Sequence, residues 1–152
     1  MRLDPAKVSP AAHHAMLGLE SFVRKSSKLE ESLLQLIRMR ASQINGCAFC
    51  IDRHSREARA NGETEQRLYA LSGWRETTFF TNRERAALAW TEALTLITEG
   101  HASDDVYNEA RSEFKEEELV NISLAIIAIN GWNRLAIGFR KSPGEYRPHE
   151  NA

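Results

Sequence analysis

The chain has 152 residues, 42% of them apolar and 27% charged, with a formal net charge of −1. That length fits one domain, taken as residues 1–152 with a core over about 8–140, and the composition fits a globular protein rather than a disordered or fibrous one. Arg and Lys alternate with Glu and Asp and form no basic cluster, so a nucleic-acid partner is not expected.

Met1 to Lys7 carries Arg2, Asp4 and Lys7 without an apolar run, which is unlike a secretory leader, and a cytoplasmic, reducing location is expected. Ser9-Pro10 opens the first predicted helix, with Ser as cap and Pro at the first helical position. Met16, Leu19, Phe22 and Val23 supply its apolar face. His13 and His14 are adjacent, point in different directions and are read as surface residues. After Ser26-Ser27, the residues Leu29, Leu33, Leu36, Ile37, Arg40 and Ile44 trace a second amphipathic helix that runs into the turn Asn45-Gly46.

The next element carries the chemistry. Cys47 and Cys50 are the only cysteines, three positions apart, and His54 follows four positions later, in a helix expected to stop near Asn61-Gly62. At about 100° per residue the three side chains fall within roughly a 60° arc of one face. A helix start favours an anion through its free N–H groups and dipole, and Cys-x-x-Cys pairs there have depressed pKa values. His54, one turn below Cys50, can take or return its proton. Two other readings compete. Zinc needs about four ligands, whereas a second Cys pair is absent and His13, His14, His101 and His149 are scattered. Plain buried cysteines are common, but two at this spacing and place favour a redox dithiol.

Thr64 caps a short helix with Leu68, Tyr69 and Leu71, which Ser72-Gly73 ends. Trp74, Phe79 and Phe80 read as a core aromatic cluster. Thr81-Asn82-Arg83-Glu84 is a capping box opening a long helix with Ala86, Trp90, Ala93, Leu94 and Ile97 inward and Gly100 as its stop. Ser103-Asp104-Asp105 starts another, with Val106, Tyr107, Ala110 and Phe114 as its inner face. The last helix, from about Lys115 to Arg140, is apolar on nearly every side over Leu119–Ile129, so it is expected to be the central core helix or to line a subunit interface. A membrane span is not expected, because Asn121, Ser123, Asn130, Asn133 and Arg134 interrupt the run. Asn130, Trp132 and Asn133 are read as bracing residues, and 143–152 as a loosely ordered tail.

The stretch Leu36-Ile37-Arg38-Met39-Arg40-Ala41-Ser42-Gln43-Ile44-Asn45-Gly46-Cys47-Ala48-Phe49-Cys50-Ile51-Asp52-Arg53-His54 resembles the core signature of the carboxymuconolactone decarboxylase superfamily in its alkylhydroperoxidase D-like branch. The likeness continues through Trp74-Arg75-Glu76, 80–90 and 130–135, and spans most of residues 8 to 140. Founding decarboxylases lack the cysteine pair, so the resemblance implies the peroxidase-like branch. It implies an all-α single domain of six to seven helices, assembled as a homotrimer or homohexamer.

For chemistry, the resemblance implies a thiol-dependent hydroperoxide reductase or disulfide oxidoreductase. In it Cys50 attacks a small hydroperoxide, His54 activates it and Cys47 resolves the sulfenic acid. No bound cofactor is implied; an external dithiol, a lipoyl-bearing or thioredoxin-like protein, would regenerate the pair. Where relatives carry a relay glutamate, about three turns before the first cysteine, this chain has Gln35. An amide cannot exchange a proton near neutral pH but can orient a partner. Glu31 and Glu92 are the substitute candidates, each weighed against a surface or structural role. The departure at Gln35 favours one other reading, a dithiol reductase without peroxide chemistry; a non-enzymatic redox-sensing oligomeric module is a separate alternative.

Overall fold

The computed structural model describes residues 1–144, 146 and 147. Among these the chain is all-helical: α1 (Pro5–Val8), α2 (Pro10–Lys25), α3 (Glu31–Asn45), α4 (Ala48–Ala60), α5 (Glu65–Ala70), α6 (Asn82–Thr95), α7 (Asp104–Glu113) and α8 (Glu116–Gly138), with a 3-10 segment over Leu71–Glu76. The eighth helix beyond the six to seven expected is α1. Asp4 accepts the Ala6 N–H and Pro5 sits at the first helical position, which suffices for one turn before Ser9 interrupts it.

Helix α3 is the hub, packed against α4, α6 and α8. It buries Leu33, Leu34, Leu36, Ile37, Met39 and Ala41, and also the polar Gln35, Arg38 and Ser42. Gly46 ends it in the left-handed region at φ 68°, where its missing side chain costs least. The same residue reverses the chain so that α4 starts at Cys47 and returns along α3.

Helix α8 is long and apolar enough to cross a membrane, with a mean hydropathy of 1.3 over its best window. It instead lies in the protein core against α2, α3 and α6. Its buried asparagines are satisfied internally, Asn121 by donating to the Ser27 carbonyl and Asn133 by donating to Ser42. At Gly131 an added Cβ would come within 2.8 Å of Met16 Cε, so a glycine lets α2 approach.

Four apolar positions differ from the sequence pattern, the first being Phe22, which lies exposed on α2. Ile97 and Tyr107 are 45% and 44% exposed. Helix α6 stops at Thr95, so Ile97 falls in the following turn instead of on the buried stripe. Tyr107 lies across the edge of Trp90 rather than beneath it. In the aromatic cluster Trp74 and Phe80 are core, whereas Phe79 is exposed. The tail that reads as loosely ordered is anchored in its described part. Gly144 N–H donates to Asp52 Oδ2 at 2.9 Å and Tyr146 Oη–H to Glu57 Oε1 at 2.7 Å. The remainder of that expectation lies outside the described residues.

Candidate active site

Cys47 is the N-cap of α4: its Sγ accepts the Cys50 backbone N–H at 3.4 Å. Both cysteines are reduced and buried, 1% and 3% exposed, among Ala41, Ile129 and Ala136 with Phe49 alongside. The pair therefore holds one proton more readily than two. The hydrogen bond from Cys50, assisted by backbone N–H groups and the Asn133 amide and opposed by burial, lowers the Cys47 thiol from 9.0 to about 7. The same shared proton, burial and the Cys47 charge push Cys50 far up. The N-cap geometry and the shared proton thus favour negative charge on the Cys47 sulfur over the Cys50 sulfur.

Behind the sulfurs runs a buried amide network from α3 to α8. Asn45 Nδ2–H donates to Asn130 Oδ1 at 3.0 Å and to Asn133 Oδ1 at 2.9 Å, and Asn133 Nδ2–H to Ser42 Oγ at 3.0 Å. Asn130 also donates to Thr95. Asn130 and Asn133 thus act as bracing residues of neighbouring helices, at the C-terminal ends of α3 and α6, and Asn133, wholly buried, additionally faces the thiols.

One turn below Cys50, His54 is buried and its Nδ1 meets two oxygens, Glu57 Oε2 at 2.9 Å and Gln35 Oε1 at 3.2 Å. The Gln35 amide is oriented by its own donors, which reach Glu31 Oε1 at 2.6 Å and Glu57 Oε2 at 3.3 Å. Two acceptors at Nδ1 assign the proton to that nitrogen, leaving Nε2 with its lone pair free. Burial, with the nearby Arg38 and Arg53 charges, lowers the His54 pKa in spite of Glu57, so the ring is neutral at pH 7. No hydrogen bond among the described residues joins the ring to either sulfur in this resting arrangement.

Glu57 is the carboxylate that the sequence pattern does not single out. It accepts from His54, Gln35, Arg53 at 3.1 Å and Tyr146, and these donors outweigh burial to hold it well below the usual carboxylate range. The residues put forward for that part lie elsewhere. Glu31 orients Gln35 and pairs with buried Arg38, with no contact to His54. Glu92 binds Arg40, Arg75 and the Trp74 indole N–H, tying α6 to α3 and the 3-10 segment away from the dithiol. The available signal for Glu57 was its spacing of three from His54 on one helix, which places the two side chains together.

A sequence model of the carboxymuconolactone decarboxylase family matches residues 10–93. The protein YdfG of Bacillus subtilis (strain 168) is 40% identical over 136 residues, covering 90% of this chain and 92% of its own. The solved structure of ATU0492 from Agrobacterium tumefaciens, described as of unknown function with a suggested role as the antioxidant defence protein AhpD, is 47% identical. It superposes with a TM-score of 0.91, over 95% of this chain and 99% of that one. The debrominase Bmp8 shares the fold alone, at 22% identity and a TM-score of 0.80, over 90% of this chain and 73% of its own.

Proposed function

The chain belongs to the carboxymuconolactone decarboxylase family, in its AhpD-like branch, and from that premise we propose that it is a dithiol peroxidase that reduces small hydroperoxides through Cys47 and Cys50. The observation that carries this reading is the N-cap position of Cys47, whose Sγ receives the Cys50 N–H while a neutral His54 waits one turn below.

The Cys47 thiolate attacks the distal oxygen of ROOH; the O–O bond breaks, RO⁻ leaves and takes up a proton as ROH, and Cys47 becomes a sulfenic acid. With the Cys47 charge gone, the chief cause of the high Cys50 pKa disappears. His54 Nε2 then takes the Cys50 proton, the Cys50 sulfur attacks the Cys47 sulfur, and hydroxide departs as water with a proton returned by His54. An external dithiol, lipoyl-bearing or thioredoxin-like, reduces the disulfide by exchange and is itself oxidised. This order assigns the attack to Cys47, where the family resemblance alone would assign it to Cys50. The N-cap position of Cys47, whose sulfur receives the Cys50 N–H, supports the exchange of roles.

Val120, Ile127 and Ile137 remain exposed on the outer side of α8. We include self-association through this face, as a homotrimer or homohexamer, in the proposal.

The test is a stopped-flow and mass-spectrometric reaction of the reduced protein with hydrogen peroxide or cumene hydroperoxide, followed by a dithiol. Fast oxidation that ends in a Cys47–Cys50 disulfide and is reversed by the dithiol is expected. Oxidation no faster than a free thiol, together with ready reduction of a disulfide dye, would replace peroxidase with dithiol reductase.

A further inference from the structure

The two oxygens of Glu57 each take one donor from α4 and one from elsewhere in the chain. Oε2 takes the His54 ring and Gln35, while Oε1 takes the Arg53 guanidinium at 3.1 Å and the Tyr146 hydroxyl at 2.7 Å. Tyr146 lies beyond α8, 89 positions from Glu57. Its ring is covered by Arg53, whose Cζ sits 4.8 Å from the ring centroid. Gly144 N–H meets Asp52 Oδ2 at 2.9 Å, so the segment after α8 reaches α4 on both sides of His54 along the chain.

We propose that Tyr146 is a positioning residue for the dithiol cycle: its hydroxyl fixes Glu57, which fixes the His54 ring with Nδ1 protonated and Nε2 unprotonated toward its task at Cys50. The inference rests on the peroxidase reading for the step it serves, but not for the ring geometry it predicts. The physical argument is directional. Arg53 also holds Oε1, but from a partly exposed guanidinium on α4 itself, so the Tyr146 O–H is the donor that fixes this oxygen from outside the helix, opposite the one His54 uses. A charge-assisted hydrogen bond at a partly buried carboxylate is worth enough to bias its placement by on the order of tenfold or more. His54 takes the thiol proton in the closing step, whereas the Tyr146 hydroxyl reaches Glu57 and its ring lies under Arg53, away from the reacting atoms. Its effect should therefore fall on disulfide closure and spare the first oxidation at Cys47.

The test is Tyr146→Phe in the full chain, which keeps the ring beneath Arg53 and removes one oxygen. Nitrogen-15 spectra of the His54 ring at neutral pH report the tautomer directly and require no substrate. In the parent protein a single Nδ1–H form is expected; in Tyr146→Phe, where Glu57 and Gln35 still face Nδ1, the Nδ1–H resonance should shift from the parent's as its bond to Glu57 loosens. Closure from the Cys47 sulfenic acid to the disulfide should slow about tenfold, with formation of that sulfenic acid changed less than about twofold. A ring spectrum identical to the parent's overturns the proposal, as does a loss confined to the first oxidation. If the parent protein forms no sulfenic acid with any hydroperoxide, the peroxidase reading fails by itself, and the ring spectra still decide the role of Tyr146.

Discussion

Glu57 Oε2 lies 2.9 Å from His54 Nδ1, one turn further along the same helix, and this contact sets which nitrogen of the buried ring is left free to act as a base. Glu57→Gln keeps the size and removes the charge that Arg53 and Tyr146 also bind. It should lower stability by about 2 kcal/mol, from the loss of charge-assisted bonds at a mostly buried site. Disulfide closure should slow by one to two orders of magnitude, roughly the effect of an impaired general base. Urea unfolding and rapid-quench mass spectrometry give the two numbers.

The two thiols should separate on a pH axis. Alkylation of the reduced protein by iodoacetamide should occur first at Cys47, with a midpoint near about 7 against 9.0 for an ordinary thiol. In Cys50→Ala, the S–H donor is gone and the midpoint should rise toward the ordinary value. Peptide mapping across pH 5 to 10 checks both. Labelling that starts at Cys50 would return the attacking role to that residue.

Asn133→Ala should cost about 1–3 kcal/mol by leaving Ser42 and Asn45 with a lost partner in a buried setting. It should also raise the Cys47 midpoint, because the amide is one of the groups that hold the thiolate. Thermal melts and the same alkylation profile are the measurements.

Stability should fall on mild acidification. The His54 pKa is lowered in the folded state, so below the unfolded value near 6.5 the unfolded chain binds a proton that the native ring resists. Native stability from this group is then complete above about 6.5 and is lost as pH falls below it. The charges facing the ring are Glu57, Arg38 and Arg53. His54→Gln should flatten the pH dependence of the urea midpoint between pH 7 and 5, and an unchanged slope would remove His54 as its source.

Ile127→Glu places a charge on the exposed side of α8, where Val120 and Ile137 also lie. If that side joins copies of the chain, sedimentation should show a trimer or hexamer for the parent protein and smaller species for the variant, with the helical circular dichroism unchanged.

The sequence carries the helices because their signals are local. Ser9-Pro10, the Thr81/Glu84 capping box and Gly46 each act within four residues, and all stand at the element boundaries they suggest. Helix α1 escapes the periodic pattern because a single capped turn buries nothing and leaves no apolar stripe. The dithiol and His54 are legible for the same local reason, lying on one helix. Glu92 attracts attention as an acid on the neighbouring α6, yet Arg40 and Arg75 claim it. Tyr146 is different in kind, since its pairing with Glu57 spans 89 positions and follows from where α8 ends rather than from any spacing along the chain. Gln35 stands where the family resemblance implies a proton carrier; its amide donates to Glu31 and Glu57 and its oxygen faces His54 Nδ1, so it holds these groups in place.

Placing Cys47 at the start of α4 bears on equilibrium as well as on rate. The helix terminus and the Cys50 donors stabilise the anionic sulfur, a species that exists only when the pair is reduced. Oxidation removes that favoured state, so the same contacts act on the reduced side of the couple and favour the dithiol. Under the peroxidase reading, the N-cap that readies Cys47 for attack also assists the return of the pair to its reduced form.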